Sequence, residues 1–255
     1  MSASMAPPRP PGYRAPPRPS VLDVLRTVRG VVTDVVPSIG RLALDGARAD
    51  TSTTSEEGLA NARRAFGRAL RHFGVELSVH RIEALPRDTG LVLMWNQESH
   101  LDHLSLATAI PRPFFSLYNH AIARFPVDGG HMRATGHVHV DRNDEAQWRP
   151  AIAAAARRVH DGEVVLVSPE GTRSWDTRLL PMKRGAMALA IESRRPTVCV
   201  TVIGGHARLP RGSPIVRAGK LRVVFSDPIP SSDDPDQLAL AVEQTFSTLK
   251  REWSL

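Results

Sequence analysis

Short apolar runs, each closed off by turn residues and followed by a stretch of helical spacing, constrain this chain more than any other feature. Leu91-Val92-Leu93-Met94-Trp95 follows the turn Pro86-Arg87-Asp88-Thr89-Gly90, and residues 163–167 and 197–203 are runs of the same kind. Apolar runs of this length without polar alternation read as strands buried on both faces. Further strands are predicted over 114–118, 137–140 and 221–225. Val75, Leu77 and Val79 alternate with Glu76, Ser78 and His80, the pattern of a half-buried strand. Helical spacing occupies 145–160, 185–193 and 236–253 between and after these runs. Strands alternating with helices predict an α/β fold: a mostly parallel sheet flanked by helices. Ligands of such sheets gather at the carboxyl ends of the strands.

Upstream of the sheet the composition changes. Residues 1–19 are rich in Pro and Arg with no acid, which predicts a disordered basic tail. Residues 20–73 predict two amphipathic helices. Ser20 is placed to cap the first, whose apolar positions run from Val21 through Val24, Leu25, Val28, Val31, Val32 and Val35 to Ile39, with Pro37 breaking it. In the second, Thr53 and Thr54 precede Glu56 and Glu57 by three residues, a capping-box signal. Leu59, Ala62, Phe66, Leu70 and Phe73 line one side of it, and Arg63, Arg64, Arg68 and Arg71 crowd the rest. Residues 74–255 form the α/β domain.

The bulk numbers narrow the partners. Thirty-three Lys and Arg against 26 Asp and Glu leave a formal charge of +7, which suits an anionic partner or serves only solubility. Aromatic residues are 5% of the chain, too few for base stacking to be its business, so no nucleic-acid partner is expected. No run of about eighteen apolar residues exists, and no spanning helix is expected. The N-terminus lacks the apolar stretch of a signal peptide. The single cysteine, Cys199, sits inside an apolar run and reads as a buried strand residue.

Three motifs fall at predicted strand ends. Asn96-Gln97-Glu98-Ser99-His100-Leu101-Asp102 follows the 91–95 strand, Gly136-His137-Val138-His139-Val140-Asp141-Arg142 contains another, and Ser168-Pro169-Glu170-Gly171-Thr172-Arg173 follows the 163–167 strand. In this order they resemble the block motifs of the glycerolipid acyltransferases, the lysophosphatidic acid acyltransferase family, over roughly residues 74–230. The family's first block reads Asn-His-x-Ser-x-x-Asp. Asn96, Ser99 and Asp102 match it, and Gln97 stands where the family keeps its catalytic His. The resemblance implies transfer of a fatty acyl group from acyl-CoA or acyl-carrier protein to the hydroxyl of a lysophosphatidate-like phospholipid. It implies no cofactor, since the thioester is a substrate, and a place in the cytoplasm, peripheral on the inner face of an anionic membrane. Glu170, Gly171, Thr172 and Arg173 correspond to the block that binds the phosphate head group, and Arg142 to a second phosphate ligand. A guanidinium pairs with phosphate through parallel hydrogen bonds, and a glycine permits close backbone approach. Lys183, in Lys183-Arg184-Gly185, corresponds to a basic residue that meets donor phosphates or is a solvated charge.

Acyl transfer to an alcohol calls for a base near neutral pH, a role an imidazole oriented by a carboxylate fills. A carboxamide such as Gln97 takes no proton there. Three accounts stay open: a weak or inactive lipid-binding relative, another base drawn from His100, His103 and His139, or catalysis by positioning and charge stabilisation alone. His100 and His103 lie two and one residues from Asp102, a spacing that points side chains apart on a regular helix. A rival reading takes His100, Asp102 and His103, with His131 and His137 in reach, as ligands of a metal-dependent hydrolase.

Overall fold

A computed structural model describes residues 7–37, 56–119, 136–141 and 144–255. Helix α1 (Val21–Gly30) opens at Ser20, whose hydroxyl accepts the Asp23 N–H while the Asp23 carboxylate accepts the Ser20 N–H, a complete capping box. One wider π-type turn, Val31–Val35, carries it on. Helix α2 spans Glu56–His72, so the expected capping threonines at 53 and 54 lie outside the described residues.

The domain proper runs β1 (Val75–His80), β2 (Leu91–Trp95), α3 (Leu101–Ala109), β3 (Phe115–Asn119), β4 (Val138–Val140), α4 (Glu145–His160), β5 (Val164–Val167), α5 (Arg184–Ser193), β6 (Thr197–Ile203), the short α6 (Gly205–Arg208), β7 (Gly219–Phe225) and α7 (Pro235–Glu252). The strands form one seven-stranded sheet in the order β1-β7-β6-β2-β5-β3-β4. Every pairing is parallel except β6 with β7, so β1 and β7 run opposite to the other five. The mostly parallel α/β architecture read from the sequence is the one observed.

Alternation along the central strands divides the core. Leu91, Leu93 and Trp95 of β2 face a cluster built with Leu70 of α2, Phe73 just after it, and Leu101 and Leu106 of α3. Val92 and Met94 face the opposite cluster, with Val159 of α4, Leu189 of α5 and Phe246 of α7. Cys199 belongs to that second cluster and is buried, and burial raises its thiol pKa far above the reactive range. The parallel strands β2, β5 and β6 therefore end side by side, and the loops leaving them make one rim.

The N-terminal helix reverses the usual amphipathic arrangement. The faces of α1 that meet protein are those of Thr27, Gly30 and Asp34, while its aliphatic stripe looks outward: Val21 is 78% exposed, Leu25 61%, Val28 55% and Val32 61%. Gly30 permits this seating, because a Cβ there would fall 2.4 Å from the Phe73 ring. Asp34 is held by Thr33, His72 and Arg68 of α2. Arginines of α2 also turn to protein: Arg63 donates to the Ile110 carbonyl and Arg68 to Asp34. Among the described residues no helix is long and apolar enough to cross a membrane.

Candidate active site

The first and third motifs leave neighbouring strands and are bonded to each other. The Gln97 N–H donates to Glu170 Oε1 at 2.8 Å, and the Ser174 N–H donates to the Gln97 carbonyl at 2.9 Å. Glu170 Oε2 accepts the Leu180 N–H at 2.7 Å, which folds the long loop after β5 back over its own start. Lys183 closes that loop with its N–H on the Pro169 carbonyl at 2.7 Å, then begins α5 with its side chain exposed. Gly171 takes a φ of +68°, a conformation that costs glycine little.

Asn96 extends β2 by one side-chain rung. Its Oδ1 accepts the Val202 N–H at 2.7 Å and its Nδ2 donates to the Val202 carbonyl at 2.9 Å, imitating a peptide pairing with β6. Ser99 donates to the Leu209 carbonyl and accepts the Leu101 N–H. Thus the positions that match the first block hold the loop as much as they serve any ligand.

Asp102 is wholly buried on the first turn of α3. Its Oδ2 accepts the Glu98 and Ser99 N–H groups, each at 2.8 Å, and its Oδ1 has no hydrogen-bond partner. Burial raises its pKa well above the usual carboxylate range, and the charges of Glu98 and Glu170 add to that rise against the two backbone bonds. The space beside Oδ1 exists because residue 205 is glycine: a Cβ there would lie 2.7 Å from Oδ1.

His100 and His103 are exposed, and neither bonds to Asp102. Crowding by protein lowers both pKa values, and the nearby Arg173 charge acts in the same direction. The His103 ring meets Trp95 edge-on at 5.7 Å. Among the described residues no three His, Cys, Asp or Glu side chains gather to hold a metal ion. The proposed ligand set diverges, with Asp102 inside and both imidazoles outside; His131 lies outside the described residues, and His137 accepts the Ser116 N–H at 2.8 Å. His139 packs against Tyr118. Arg142 also lies outside the described residues, one position beyond Asp141 at the end of β4.

Arg173 is half-buried at the rim with Thr172 beside it. Among the described residues no hydrogen bond engages its guanidinium; its charge is felt by His100 and His103 and opposed by the neighbouring Arg211. Arg211 donates to the Arg173 carbonyl.

Sequence reasoning missed a buried ion pair under this rim. Glu98, 2% exposed, is paired with Lys250 of the last helix, whose ammonium also donates to the Thr177 carbonyl. Asn96 Nδ2 and, at 3.5 Å, the His206 N–H complete the Glu98 shell. Helical spacing puts Lys250 beside the buried Leu249 but names no partner, so no sequence signal links it to a loop 152 positions away.

Residues 76–203 match the family model described as Acyltransferase. Among curated proteins, the 1-acyl-sn-glycerol-3-phosphate acyltransferase of Chlamydomonas reinhardtii is 30% identical over 164 residues, 64% of this chain and 49% of that relative. The chloroplastic enzyme of the same name from Brassica napus is 33% identical over 153 residues, 59% and 44% of the two chains. The chain thus spans about half the length of the curated relatives it matches. The crystal structure of the 1-acyl-sn-glycerophosphate acyltransferase PlsC from Thermotoga maritima superposes with a TM-score of 0.74 at 18% identity, covering 91% of this chain and 97% of that one, a shared fold. With its helix-flanked seven-stranded sheet, its rim of bonded motifs and a family match over half its length, this chain belongs to the acyltransferase family.

Proposed function

We propose that this chain transfers a fatty acyl group from a thioester, acyl-CoA or acyl-carrier protein, to the free hydroxyl of a lysophosphatidate-like acceptor. The hydroxyl oxygen attacks the thioester carbonyl, a C–O bond forms, the C–S bond breaks, and the hydroxyl proton ends on the departing thiolate. The observation that carries this reading is the direct bonding of the Asn96–Asp102 loop to the Pro169–Arg173 loop beside an uncommitted guanidinium, Arg173. Arg173 is suited to the acceptor phosphate. Gln97 can accept or donate a hydrogen bond at the reacting hydroxyl but cannot take its proton.

A second reading, a lipid-binding relative with weak turnover, is favoured by one observation: Asp102, the carboxylate that would orient an imidazole, spends Oδ2 on backbone N–H groups and meets no histidine. Turnover of labelled acyl-CoA and acyl-carrier protein with lysophosphatidate decides between the readings. Tight lysophosphatidate binding without product supports the second. Unchanged lysophosphatidate affinity in Arg173→Ala sinks both, since both rest on that arginine.

The acceptor is a bilayer lipid, and the outward Val-Leu stripe of α1 supports peripheral membrane association. A helix of this kind buries its apolar face in the interface, and basic neighbours such as Arg26 and Arg29 add about 1 kcal/mol each on anionic lipid. Flotation with anionic liposomes tests it. Val21→Asp with Leu25→Asp should abolish flotation in a folded protein; undiminished flotation puts the anchor elsewhere.

A further inference from the structure

Residues 7–19 of the Pro- and Arg-rich N-terminal segment take no helix or strand, yet they lie against the rim of the site. Trp175, two positions after Arg173, donates its indole N–H to the Pro7 carbonyl. Tyr13 turns back through its N–H to the Pro10 carbonyl at 3.1 Å and sets its ring edge-on to Trp175 at 6.0 Å and to His206 at 6.2 Å. Arg217 donates to the Pro17 carbonyl at 3.1 Å, and Ser20 then caps α1. Residues 7–19 are therefore held near both ends. Six prolines between positions 7 and 17 restrict the chain before it docks, so docking costs less conformational entropy than composition alone suggests.

What the strap brings to the rim is charge. The Arg9 guanidinium sits 4.9 Å from the Trp175 ring centre, and Arg211 sits 5.1 Å from it. Arg211 in turn donates to the Arg173 carbonyl. One indole thus spaces two arginines beside a third. Three carboxylates nearby are engaged: Asp176 accepts from Arg178, Glu98 is paired with Lys250, and Glu170 accepts two backbone N–H groups. The fourth, Asp102, acts on the Arg173 charge but is wholly buried in a setting that favours its protonated form. Arg211 and Arg173 repel each other, and Arg9 adds a further guanidinium at the same indole. Among the described residues no carboxylate is hydrogen-bonded to any of the three, so an anion at this rim would relieve the repulsion.

We propose that the N-terminal strap is a wall of the active site, and that Arg9 and Arg211 join Arg173 in a phosphate-binding site completed by that strap. The ligand is a phosphate group of a substrate, from the acceptor head group or from the nucleotide end of an acyl-CoA donor. The proposal rests on the acyl-transfer reading for the substrate's name, but its test reads binding and does not need turnover.

Titration calorimetry on the full chain compares wild type with Arg9→Gln, Arg211→Gln and a truncation lacking residues 1–19. The probes are lysophosphatidate against monoacylglycerol, and coenzyme A against pantetheine. Each lost charge-assisted bond should weaken phosphate-bearing probes by about three- to tenfold at these partly exposed positions, with the phosphate-free partners unaffected. Loss confined to lysophosphatidate assigns the site to the acceptor, and loss confined to coenzyme A assigns it to the donor; either supports the site. Unchanged affinity for both phosphate probes in Arg9→Gln and in the truncation overturns it, even if acyl transfer is then observed. The strap itself is checked by the Trp175 indole N–H resonance, assigned through Trp175→Phe: truncation should shift it, and an unmoved signal means the strap is not docked.

Discussion

Lys250→Met should destabilise the protein through a charge left stranded under the active-site loop. Glu98 is 2% exposed and the Lys250 side chain 18%, so this pair belongs to the buried class. Removing one partner of a buried pair typically costs about 3–5 kcal/mol, because the other charge stays behind. Asn96 and His206 still donate to Glu98, which puts the expectation near the lower end, at about 3 kcal/mol. For a chain of this length, each kcal/mol moves Tm by about 2–4 °C, so a fall of about 6–12 °C is expected at pH 8. The loss must depend on pH. Burial already raises the Glu98 pKa, while the Lys250 charge holds it down. Without Lys250 the folded-state pKa climbs further. The folded variant then takes up a proton more readily than its unfolded chain, and the deficit shrinks as pH falls through the raised value towards the ordinary one. Glu98→Gln with Lys250→Met should recover much of the single-variant loss, with no pH trend. Thermal melts of the three variants at pH 5, 6.5 and 8 provide the measurement. A Lys250→Met deficit under about 1 kcal/mol at pH 8, or one flat with pH, refutes the reasoning.

Three further outcomes are expected. Gly205→Ala should cost about 1–3 kcal/mol by overpacking, since its Cβ would fall 2.7 Å from Asp102 Oδ1 and 3.1 Å from the Ser99 Cβ; chemical denaturation checks it. Burial pushes the Glu170 carboxyl up to about 7, so the folded state gains a proton earlier than the unfolded chain, and the Glu170 contribution to stability falls as pH rises from about 4.5 to about 7. Glu170→Gln should remove that slope, worth about 3 kcal/mol across the window, in urea titrations at several pH values. Gln97→His should raise acyl-transfer turnover by about two to four orders of magnitude, the usual worth of a general base, with little change in acceptor affinity; no gain, together with loss of wild-type activity in His100→Ala, would move the base to His100.

The sheet was legible because its strands announce themselves twice, by apolar runs and by the turns that end them. The expected runs 75–80, 91–95 and 197–203 match β1, β2 and β6 residue for residue, and the others differ by a residue or two at their ends. The antiparallel turn of β7 against β6 was not legible, since strand direction depends on long-range pairing that local pattern does not encode. The outward face of α1 was also hidden. A hydrophobic stripe specifies which side is apolar, not whether protein or lipid covers it. In the site, the contiguous motifs were readable, and the groups that tie them down were not: Lys250, Gly205 and Arg211 come from segments far along the chain whose local sequence carries no sign of the loop they meet.

Position 97 shows how chemistry and scaffold separate in this site. Gln97 supports the fold through its backbone alone, with the N–H on Glu170 and the carbonyl under Ser174; among the described residues its side chain makes no hydrogen bond. The loop is instead fixed by Asn96 on β6, Ser99 on Leu209, Glu98 on Lys250 and Asp102 on its own backbone. The Gln97 side chain is half-buried but holds no hydrogen bond, so a change of activity on substitution here, with the melting temperature unchanged, reports chemistry and not folding. Asp102 meanwhile keeps one buried oxygen without a hydrogen bond, in a setting that favours its protonated form. An N–H donor delivered to that oxygen would favour ionisation and would itself be oriented, the relation that makes an imidazole a base. On the proposed acyl-transfer reading, Asp102 is the carboxylate half of a dyad, in a scaffold that does not depend on the other half.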